Sequence, residues 1–575
     1  MKTIRRSFIY IARYPKALLL IVFFALLGGA ANLMAPLLIG RAIDLVVGPG
    51  EVNFASLLPQ LVVLACVFAA NSLAGWFMSL HAIRLSNQIV RDMRQSGFHQ
   101  LTRLPISYFD NARKGDLISR FSNDMELIGE GLFQTLTQIF SGVISALGSL
   151  AIMLWLNGLV GVTVLVVAPL AVFVGSFIAK NASGYFRENQ RRLGEYNDCV
   201  EEYVDNFLTA KAYGLEKEQE EKAGDVNQRL YRCGQRAQFF SAMVNPSTRV
   251  VNNLAYMLVG LIGGLAGVAG RLTIGQISGI LNYSTLFAKP LNDIAAVVTN
   301  LQAAIAAAER FFALMDEERE PNDANKKVMG KAEGKVTFQS LSFAYDEARP
   351  LIQSFSADIP AGTKVAIVGP TGAGKTTVVN LLMGFYPPDS GKILIDGEDT
   401  ADFTRDSLRV NFGMVLQDVW LFQGTVRQNI AFGKPDATDA EITAAAKAAR
   451  AHGFITRLKE GYDTKIRPDG GSLSQGEKQL LTIARAMLLN PGMMILDEAT
   501  SNVDPLTEIQ LQTALNTLMK GRTAFVIAHR LSTIVNSDII IVMENGHIVE
   551  QGNHAALLQN KGLYYRMVQA GFSPT

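Results

Sequence analysis

The sequence predicts an all-α membrane domain of six spanning helices, fused to an α/β domain built around a phosphate-binding loop. The 575 residues are 49% hydrophobic and only 18% charged, which is unusual for a wholly soluble protein. Long apolar stretches fill the first half of the chain. In the second half the strand-like runs KVAIVG, KILIDG, MMILDE, TAFVIAHR and DIIIVMENG alternate with helical patterns, which predicts a mostly parallel sheet flanked by helices. We assign residues 1–315 to the membrane domain, 316–334 to a linker and 335–575 to the α/β domain.

The charge balance and the cysteines exclude some classes of function. A formal net charge of +2 gives no reason to expect a nucleic-acid partner. Cys66, Cys199 and Cys233 are far apart and match neither a disulfide framework nor paired metal-ligand spacing, so we interpret them as packing residues. The basic amino terminus fits a secretory signal, but its apolar run, 17–47, is about twice as long as a signal core. Membrane insertion is the better interpretation.

Six apolar stretches can each cross a bilayer as a helix, because a span needs roughly 20 residues. They lie at 17–47, 57–80, 132–156, 159–179, 241–270 and 274–298. Asn157 and Gly158 predict a tight turn between the third and fourth spans, whereas the connections 81–130 and 180–240 are long and polar. These two connections must therefore leave the membrane on the same face.

The basic residues predict the orientation, because Lys and Arg near span ends are retained on the cytoplasmic side. Both long connections are rich in them, and the opposite face has little beyond Arg41 and Arg271. Lys2, Arg5 and Arg6 begin a stretch before Pro15 that is typical of a short interfacial helix. We predict that both termini and the α/β domain are cytoplasmic.

The run KVAIVG leads into GPTGAGKTT, residues 369–377, and then into a helical pattern. A phosphate loop requires this strand–loop–helix context. Gly369, Gly372 and Gly374 let backbone N–H groups curl toward phosphate oxygens, Lys375 brings a cation, and Thr376 offers a hydroxyl to Mg²⁺.

The run MMILDE places two acids at the end of a buried strand. Asp497 is a candidate Mg²⁺ ligand, and Glu498 beside it is the candidate base that polarises water. Two adjacent acids after four apolar residues also fit a solvated strand end, but the phosphate loop favours the catalytic interpretation.

These motifs, in this order, resemble those of the ATP-binding cassette (ABC) superfamily from Tyr345 to His529. LSQGE stands in the place of the LSGGQ signature, SNVD resembles the loop between the two ATP sites, and His529 resembles the histidine that contacts the terminal phosphate. The resemblance implies Glu498 and His529 as catalytic residues and Ser501 and Asp504 as inter-site residues.

Tyr345 stands where an aromatic ring stacks on adenine, and Gln417 matches the glutamine that senses Mg²⁺. The implied ATP-binding residues are Tyr345, Gly369, Thr371, Gly372, Ala373, Gly374, Lys375, Thr376, Thr377 and Gln417, and the implied Mg²⁺ ligands are Thr376, Gln417 and Asp497.

The membrane half resembles exporters of the fused half-transporter type. PISYFDNARKGDLISRFSNDMELIGE and DNFLTAKAYGLEKE look like their two intracellular loops, whose short coupling helices touch the nucleotide-binding domains. The resemblance implies an exporter-type transmembrane domain fused to an α/β P-loop nucleotide-binding domain. It also implies a bacterial cytoplasmic membrane location, the cofactors ATP and Mg²⁺, and a cycle in which ATP clamps two such domains together and hydrolysis releases them.

The signature departs from the family pattern. Ser474, Gln475, Gly476 and Glu477 face the partner's ATP in this resemblance, with Gln475 in place of a glycine and Glu477 adding an acid. Glu477 either stabilises the helix dipole or weakens the ATP site that this signature serves. Pro468 also stands where a glutamate is usual, and Asp469 is its candidate substitute. Intact catalytic residues with an altered signature resemble one subunit of heterodimeric bacterial multidrug exporters, whose partner is a different chain with LSGGQ; a homodimer is the alternative.

Polar residues inside the spans are the cues to a substrate. They are Asn32, Asn71, Arg249, Asn252, Asn253, Tyr283 and Lys289. Because an ionised group in the hydrocarbon is costly, such residues face a cavity or reach toward the membrane surface. Arg249 is our candidate for a substrate cavity, although it can also extend to the membrane surface.

Together these features predict ATP-driven export of a small amphipathic molecule, such as a drug, lipid or peptide-like compound, in contact with membrane lipid. An importer of siderophores on the same architecture, and an ATP-gated channel or regulator, are the alternatives. Glu498 and His529 favour turnover over gating alone.

Overall fold

The computed structural model describes residues 2–46, 52–346, 348–416, 419–467, 473–497, 505–527 and 531–570, with some helical side chains, such as those of 291–296, left out. The chain forms two compact units. The helical unit comprises Met1–Arg103 and Ala112–Glu318, and the sheet unit comprises Leu104–Asn111 and Arg319–Thr575.

Long helices dominate the first part of the chain. They are α1 (Lys2–Ile11), α2 (Pro15–Asp44), α3 (Phe54–Leu101), α4 (Ile106–Asn111), α5 (Lys114–Phe121), α6 (Asn123–Gln134), α7 (Phe140–Leu156), α8 (Gly158–Asp205), α9 (Phe207–Tyr213), α10 (Glu216–Val268) and α11 (Ile274–Asp316). A short π-helical stretch, Thr135–Ile139, joins α6 to α7. Of these helices, α4 belongs to the sheet unit.

The six predicted spans fall in α2, α3, the run from α6 to α7, α8, α10 and α11. Among the described residues, four helices are long and apolar enough to cross a membrane, Pro15–Asp44, Phe54–Leu101, Lys114–Leu156 and Glu216–Val268, and Gly158–Val167 forms a shorter apolar helix. Large apolar side chains such as Trp155, 79% exposed, lie on the outside, as expected for helices that face lipid. The predicted turn is confirmed: the Asn157 side chain accepts hydrogen bonds from the N–H groups of Leu159 and Val160.

Polar contacts inside the helical unit fix its helices. The Asp124 carboxylate is only 3% exposed, and the Arg310 guanidinium on α11 pairs with it, with Nε 3.0 Å from Oδ2. Asp44, at the end of α2, accepts hydrogen bonds of 2.7 Å from the Thr273 hydroxyl and the Gly275 N–H. These last bonds hold α2 beside the start of α11.

The sheet unit contains twelve strands among its described residues. They are β1 (Val336–Phe343), β2 (Ile352–Ile359), β3 (Lys364–Val368), β4 (Ser390–Ile395), β5 (Glu398–Asp399), β6 (Phe412–Val415), β7 (Gly424–Thr425), β8 (Lys465–Ile466), β9 (Met493–Asp497), β10 (Thr523–Ile527), β11 (Ile539–Glu544) and β12 (His547–Gly552).

Ten helices complete the described sheet unit beyond α4. They are α12 (Lys375–Leu382), α13 (Arg405–Arg409), α14 (Val426–Ile430), α15 (Asp439–Ala448), α16 (His452–Ile455), α17 (Gln475–Leu489), α18 (Pro505–Met519), α19 (Leu531–Val535), α20 (His554–Asn560) and α21 (Leu563–Gln569).

The main sheet has the strand order β12-β11-β3-β10-β9-β6, and all its pairs are parallel except β11 with β12. The predicted mostly parallel sheet is therefore confirmed. Two hydrophobic clusters cover the two faces of this sheet, so its central strands are buried on both sides. Strands buried in this way need apolar residues at consecutive positions.

One run is a strand, as predicted, but it belongs to a different sheet. The run KILIDG forms β4, which belongs to a separate antiparallel sheet of order β2-β1-β4-β5. A short apolar run looks the same in either kind of sheet, and its partner β1 lies more than 45 residues earlier in sequence (Phe338 pairs with Ile393). Sequence pattern alone does not reveal that pairing.

Candidate functional site

The phosphate loop joins β3 to α12 at the carboxyl edge of the main sheet. Gly369, Gly372 and Gly374 have φ values of 155°, 81° and 95°, which L side chains rarely adopt. A Cβ at Gly374 would also lie 2.5 Å from the Ile352 Cδ1 atom. The loop therefore needs glycine to curl its N–H groups toward the start of α12, where backbone donors and the helix dipole favour a phosphate.

Lys375, the first residue of α12, is 6% exposed, and its ammonium group donates hydrogen bonds to the carbonyl oxygens of Gly369 at 2.8 Å and Pro370 at 3.0 Å. Burial lowers the pKa of Lys375, and the nearby Asp497 carboxylate acts in the opposite direction. A cation held inside a phosphate loop is available to the terminal phosphates of a nucleotide.

Two oxygen donors suited to Mg²⁺ accompany this loop. Thr376 is exposed, whereas Thr377 is buried, so the Thr376 hydroxyl is the accessible one. Asp497 ends β9, and its carboxylate is close enough to interact electrostatically with Lys375. Mg²⁺ binds hard oxygen ligands, usually one or two carboxylates with substrate phosphates, so these residues fit that ion.

The remaining predicted catalytic and magnesium residues, Gln417, Glu498 and His529, lie outside the described residues, as do the inter-site candidates Ser501 and Asp504 and the two positions Pro468 and Asp469. The strands that precede Gln417, Glu498 and His529 are described. Val415, near the end of β6, pairs with Leu496, and Asp497 pairs with Ile527, the last residue of β10. Ile527 in turn pairs with Ile367 of β3, which leads into the phosphate loop. These strands thus end at one sheet edge, where ligands bind in open α/β sheets.

Tyr345 follows β1 and is 51% exposed. Its ring packs edge-on against Phe343, with centroids 4.9 Å apart, and against Tyr386, with centroids 5.0 Å apart. The Asn380 amide on α12 donates a 3.3 Å hydrogen bond to its hydroxyl. A half-exposed ring that two aromatic neighbours hold in place suits stacking on a flat base.

The signature residues form a helix cap. Ser474 precedes α17, and its hydroxyl accepts a 3.3 Å hydrogen bond from the Glu477 N–H, while the Glu477 carboxylate accepts a 2.9 Å bond from the Ser474 N–H. This is a reciprocal capping box. Gln475 is exposed and Gly476 is buried in the first turn. Glu477 therefore has a structural role, and its charge still lies at the helix start.

Arg249 lines a cavity of about 330 Å³ between α8, α10 and α11. The same wall carries Asn252, Asn253, Tyr256 and Lys289. Lys289 also lines a second cavity of about 720 Å³, with Asn32 and a largely apolar wall that includes Ile139, Val143, Val297 and Leu301. The structure thus brings Arg249 and Lys289 into one cavity wall, and Lys289 also lines the larger, mostly apolar cavity.

Another polar candidate has a structural role instead. The Tyr283 side chain is fully buried, and its hydroxyl donates a hydrogen bond to the Leu33 carbonyl oxygen. Such a bond satisfies a buried polar group and fixes α11 against α2. Tyr283 is therefore not a wall residue of either cavity described above.

The sequence analysis missed Tyr386 and Asp110. The Tyr386 hydroxyl donates a hydrogen bond of 2.5 Å to the Asp110 carboxylate of α4, a residue 276 positions earlier. Burial and this carboxylate raise the pKa of Tyr386. No local pattern joins residues so far apart in sequence, although PISYFD had marked the segment as one that contacts a nucleotide-binding domain.

Comparison with known families agrees with the two units. Residues 18–291 match the ABC transporter transmembrane region, and residues 352–501 match the ABC transporter family.

Known proteins match this chain over nearly its whole length. The chain is 41% identical to the uncharacterized ABC transporter ATP-binding protein YfiC of Bacillus subtilis (strain 168), over 99% of this chain and 94% of that protein. It is also 41% identical to the fatty acid ABC transporter ATP-binding/permease protein of Mycobacterium bovis, over 94% and 85%. The solved structure of a bacterial Atm1-family ABC exporter with ATP bound matches with a TM-score of 0.80 and 29% identity, over 97% of this chain and 98% of that one.

Proposed function

Because this chain belongs to the ABC transporter family, as an ATP-hydrolysing exporter with its membrane region and ATP-binding domain in one polypeptide, we propose that it exports a small amphipathic molecule with an acidic head group. It does so as one of two different subunits across the bacterial cytoplasmic membrane, with both termini and the ATP-binding domain in the cytoplasm. Arginine and lysine in its long polar connections support this orientation.

The pair of adjoining cavities is the observation that carries the substrate class. Arg249 and Lys289 supply two cations and Asn252 and Asn253 supply amides to the smaller cavity, whose described lining contains no carboxylate. The larger cavity accepts an apolar body. A molecule with an acidic head and a hydrocarbon body satisfies both, since intramembrane cations are stable only when paired or hydrated. One of the relatives is named a fatty acid ABC transporter, and a fatty acid is a molecule of this kind.

Hydrolysis uses groups from both chains. The phosphate-loop N–H groups and Lys375 would hold the phosphates, and Thr376, Asp497 and Gln417 would hold Mg²⁺, which would supply positive charge beside the transferred phosphate. Glu498 polarises the attacking water, and His529 contacts the terminal phosphate. The partner subunit supplies an LSGGQ signature to this site. The altered signature of this chain, with Gln475 and Glu477, serves the partner's ATP.

The transport experiment uses the complex of this chain with its partner in inverted membrane vesicles. ATP-dependent uptake of fluorescent oleate is measured for the wild type, for Arg249→Ala and Lys289→Ala, and for Arg271→Ala as a control cation that lines neither cavity. We expect the cavity variants to lower uptake at least fivefold, with Arg271→Ala unchanged, and oleylamine to be a poor substrate. Equal uptake by all variants would refute the cavity assignment, and uptake only into right-side-out vesicles would refute export.

A further inference from the structure

Segment 104–111 lies between two stretches of the helical unit in sequence, yet it packs within the sheet unit. Leu104 is buried, and Ile106 packs against the hydrophobic cluster that contains Phe343 and Tyr386. The segment therefore belongs to the sheet unit, although residues of the helical unit flank it on both sides in sequence.

Tyr386 is the side chain that connects this segment to the ATP site. Its ring is 8% exposed, and its hydroxyl bonds to Asp110. The Tyr386 ring is perpendicular to the Tyr345 ring, with centroids 5.0 Å apart, and the Phe343 ring lies 4.9 Å from Tyr345 and 5.5 Å from Tyr386. Rings packed edge to face at close distance resist independent rotation, because each is confined by its neighbours.

Tyr345 is also tied to the helix of the phosphate loop through the Asn380 amide. It thus has one contact toward the phosphate loop and one toward segment 104–111. A base stacked on Tyr345 would restrict its ring, and that restriction would reach Asp110 through a single intervening side chain.

We infer that Tyr386 is a positioning residue that links the placement of Tyr345 against the ATP base to the placement of segment 104–111. This inference rests on the proposed role of Tyr345 in ATP binding. Because a coupling between two sites is reciprocal, ATP binding stabilises the docked segment, and the docked segment strengthens ATP binding by the same factor.

Three variants separate the hydrogen bond from the packing. Tyr386→Phe keeps the ring and removes the donor, Asp110→Ala removes the acceptor, and Asp110→Asn keeps an amide oxygen that accepts the same bond. Tyr564→Phe is the matched control, because its buried hydroxyl bonds to His554 in the same unit and does not contact Tyr345.

The ATPase activity of each variant is measured for the intact complex in lipid nanodiscs. We expect Tyr386→Phe and Asp110→Ala to raise the KM for ATP about 2- to 5-fold, the range of one partly exposed hydrogen bond, with kcat within twofold of wild type. Asp110→Asn should keep the wild-type KM for ATP, because its amide oxygen still accepts the hydrogen bond. A fall in kcat at constant KM, shared with Tyr564→Phe, would indicate a structural role and overturn the inference.

Amide hydrogen exchange provides the second readout. ATP should slow exchange in residues 104–111 in the wild type, Asp110→Asn and Tyr564→Phe, and this protection should be lost in Tyr386→Phe and Asp110→Ala. Equal protection in all five proteins would overturn the inference.

Tyr345→Ala separates the two proposals. If its KM for ATP is unchanged, the role of Tyr345 fails and the route through Tyr386 fails with it. If its KM rises and that of Tyr386→Phe does not, only the link through Tyr386 is refuted.

Discussion

Glu477 is the residue at which helix stability and ATP chemistry can be separated by substitution. Its carboxylate accepts the Ser474 N–H at 2.9 Å, so Glu477→Ala removes half of the capping box. Loss of such a cap costs about 0.5–2 kcal/mol. Since about 1 kcal/mol shifts the Tm of a domain of this size by about 2–4 °C, we expect Glu477→Ala to lower the Tm of the sheet unit by several degrees.

Glu477→Gln keeps an acceptor for the Ser474 N–H and removes the charge. The remaining loss is the helix-dipole contribution of about 0.3–1 kcal/mol, so its Tm should lie between those of the wild type and Glu477→Ala. An acid at a helix start opposes the binding of a phosphate there, and after screening by solvent and salt we take this electrostatic penalty as about 1 kcal/mol. We therefore expect Glu477→Gln to tighten ATP binding at the partner's site about fivefold.

The assay combines thermal unfolding followed by intrinsic fluorescence with ATP titration of the complex. The titration uses a Glu498→Gln background, in which ATP is not consumed. In this background, the complex that keeps Glu477 should show two affinities for ATP, and Glu477→Gln should change one of them. Unchanged ATP affinity in a folded Glu477→Gln complex would refute the electrostatic effect, and an unchanged Tm for Glu477→Ala would refute the cap.

Two further predictions concern the phosphate loop and the helical unit. Lys375→Met removes the buried ammonium group and should weaken ATP binding about 10- to 100-fold. Titration with a fluorescent nucleotide measures the affinity, and circular dichroism checks that the variant is folded. Retained ATP affinity would contradict the role of Lys375. Gly275→Ala places a methyl group against the Gly40 carbonyl, where α2 and α11 touch, and should destabilise the helical unit by about 1–3 kcal/mol in thermal unfolding; Gly264→Ala, where a Cβ meets open space, is its control and should be neutral.

Residue pattern was sufficient for features set by local physics. Runs of apolar residues predicted the spans, because a helix in contact with lipid needs apolar side chains over its membrane-spanning length. The Asn157-Gly158 turn was predicted because Asn caps a helix start. The phosphate loop was predictable because its glycines, lysine and threonine adjoin one another in the chain. The pattern Ser474-x-x-Glu477 also matches a capping box, although the sequence analysis considered only the charge of Glu477.

Long-range pairing accounts for what the sequence could not predict. The pairing of β1 with β4 and the bond of Tyr386 to Asp110 each join residues separated by tens to hundreds of positions. The docking of segment 104–111 was expected only from its resemblance to a coupling helix, and not from local physics. Tyr283 was a candidate cavity residue because it is a polar residue within a predicted span. The position of a residue in a span does not show which way its side chain points. The sequence did not distinguish Lys289 from the other polar residues of the spans, because only the folded structure shows that it lines two cavities.

The ATPase activity of the chain alone and with its partner tests the central claim most directly. The chain is purified by itself and in complex with a second half-transporter that carries LSGGQ, and Glu498→Gln is the inactive control for each. The proposed division of labour predicts that the chain alone hydrolyses ATP at less than about a tenth of the rate of the complex, and that Glu498→Gln abolishes the activity of the complex. A stable homodimer with full, oleate-stimulated activity would contradict it.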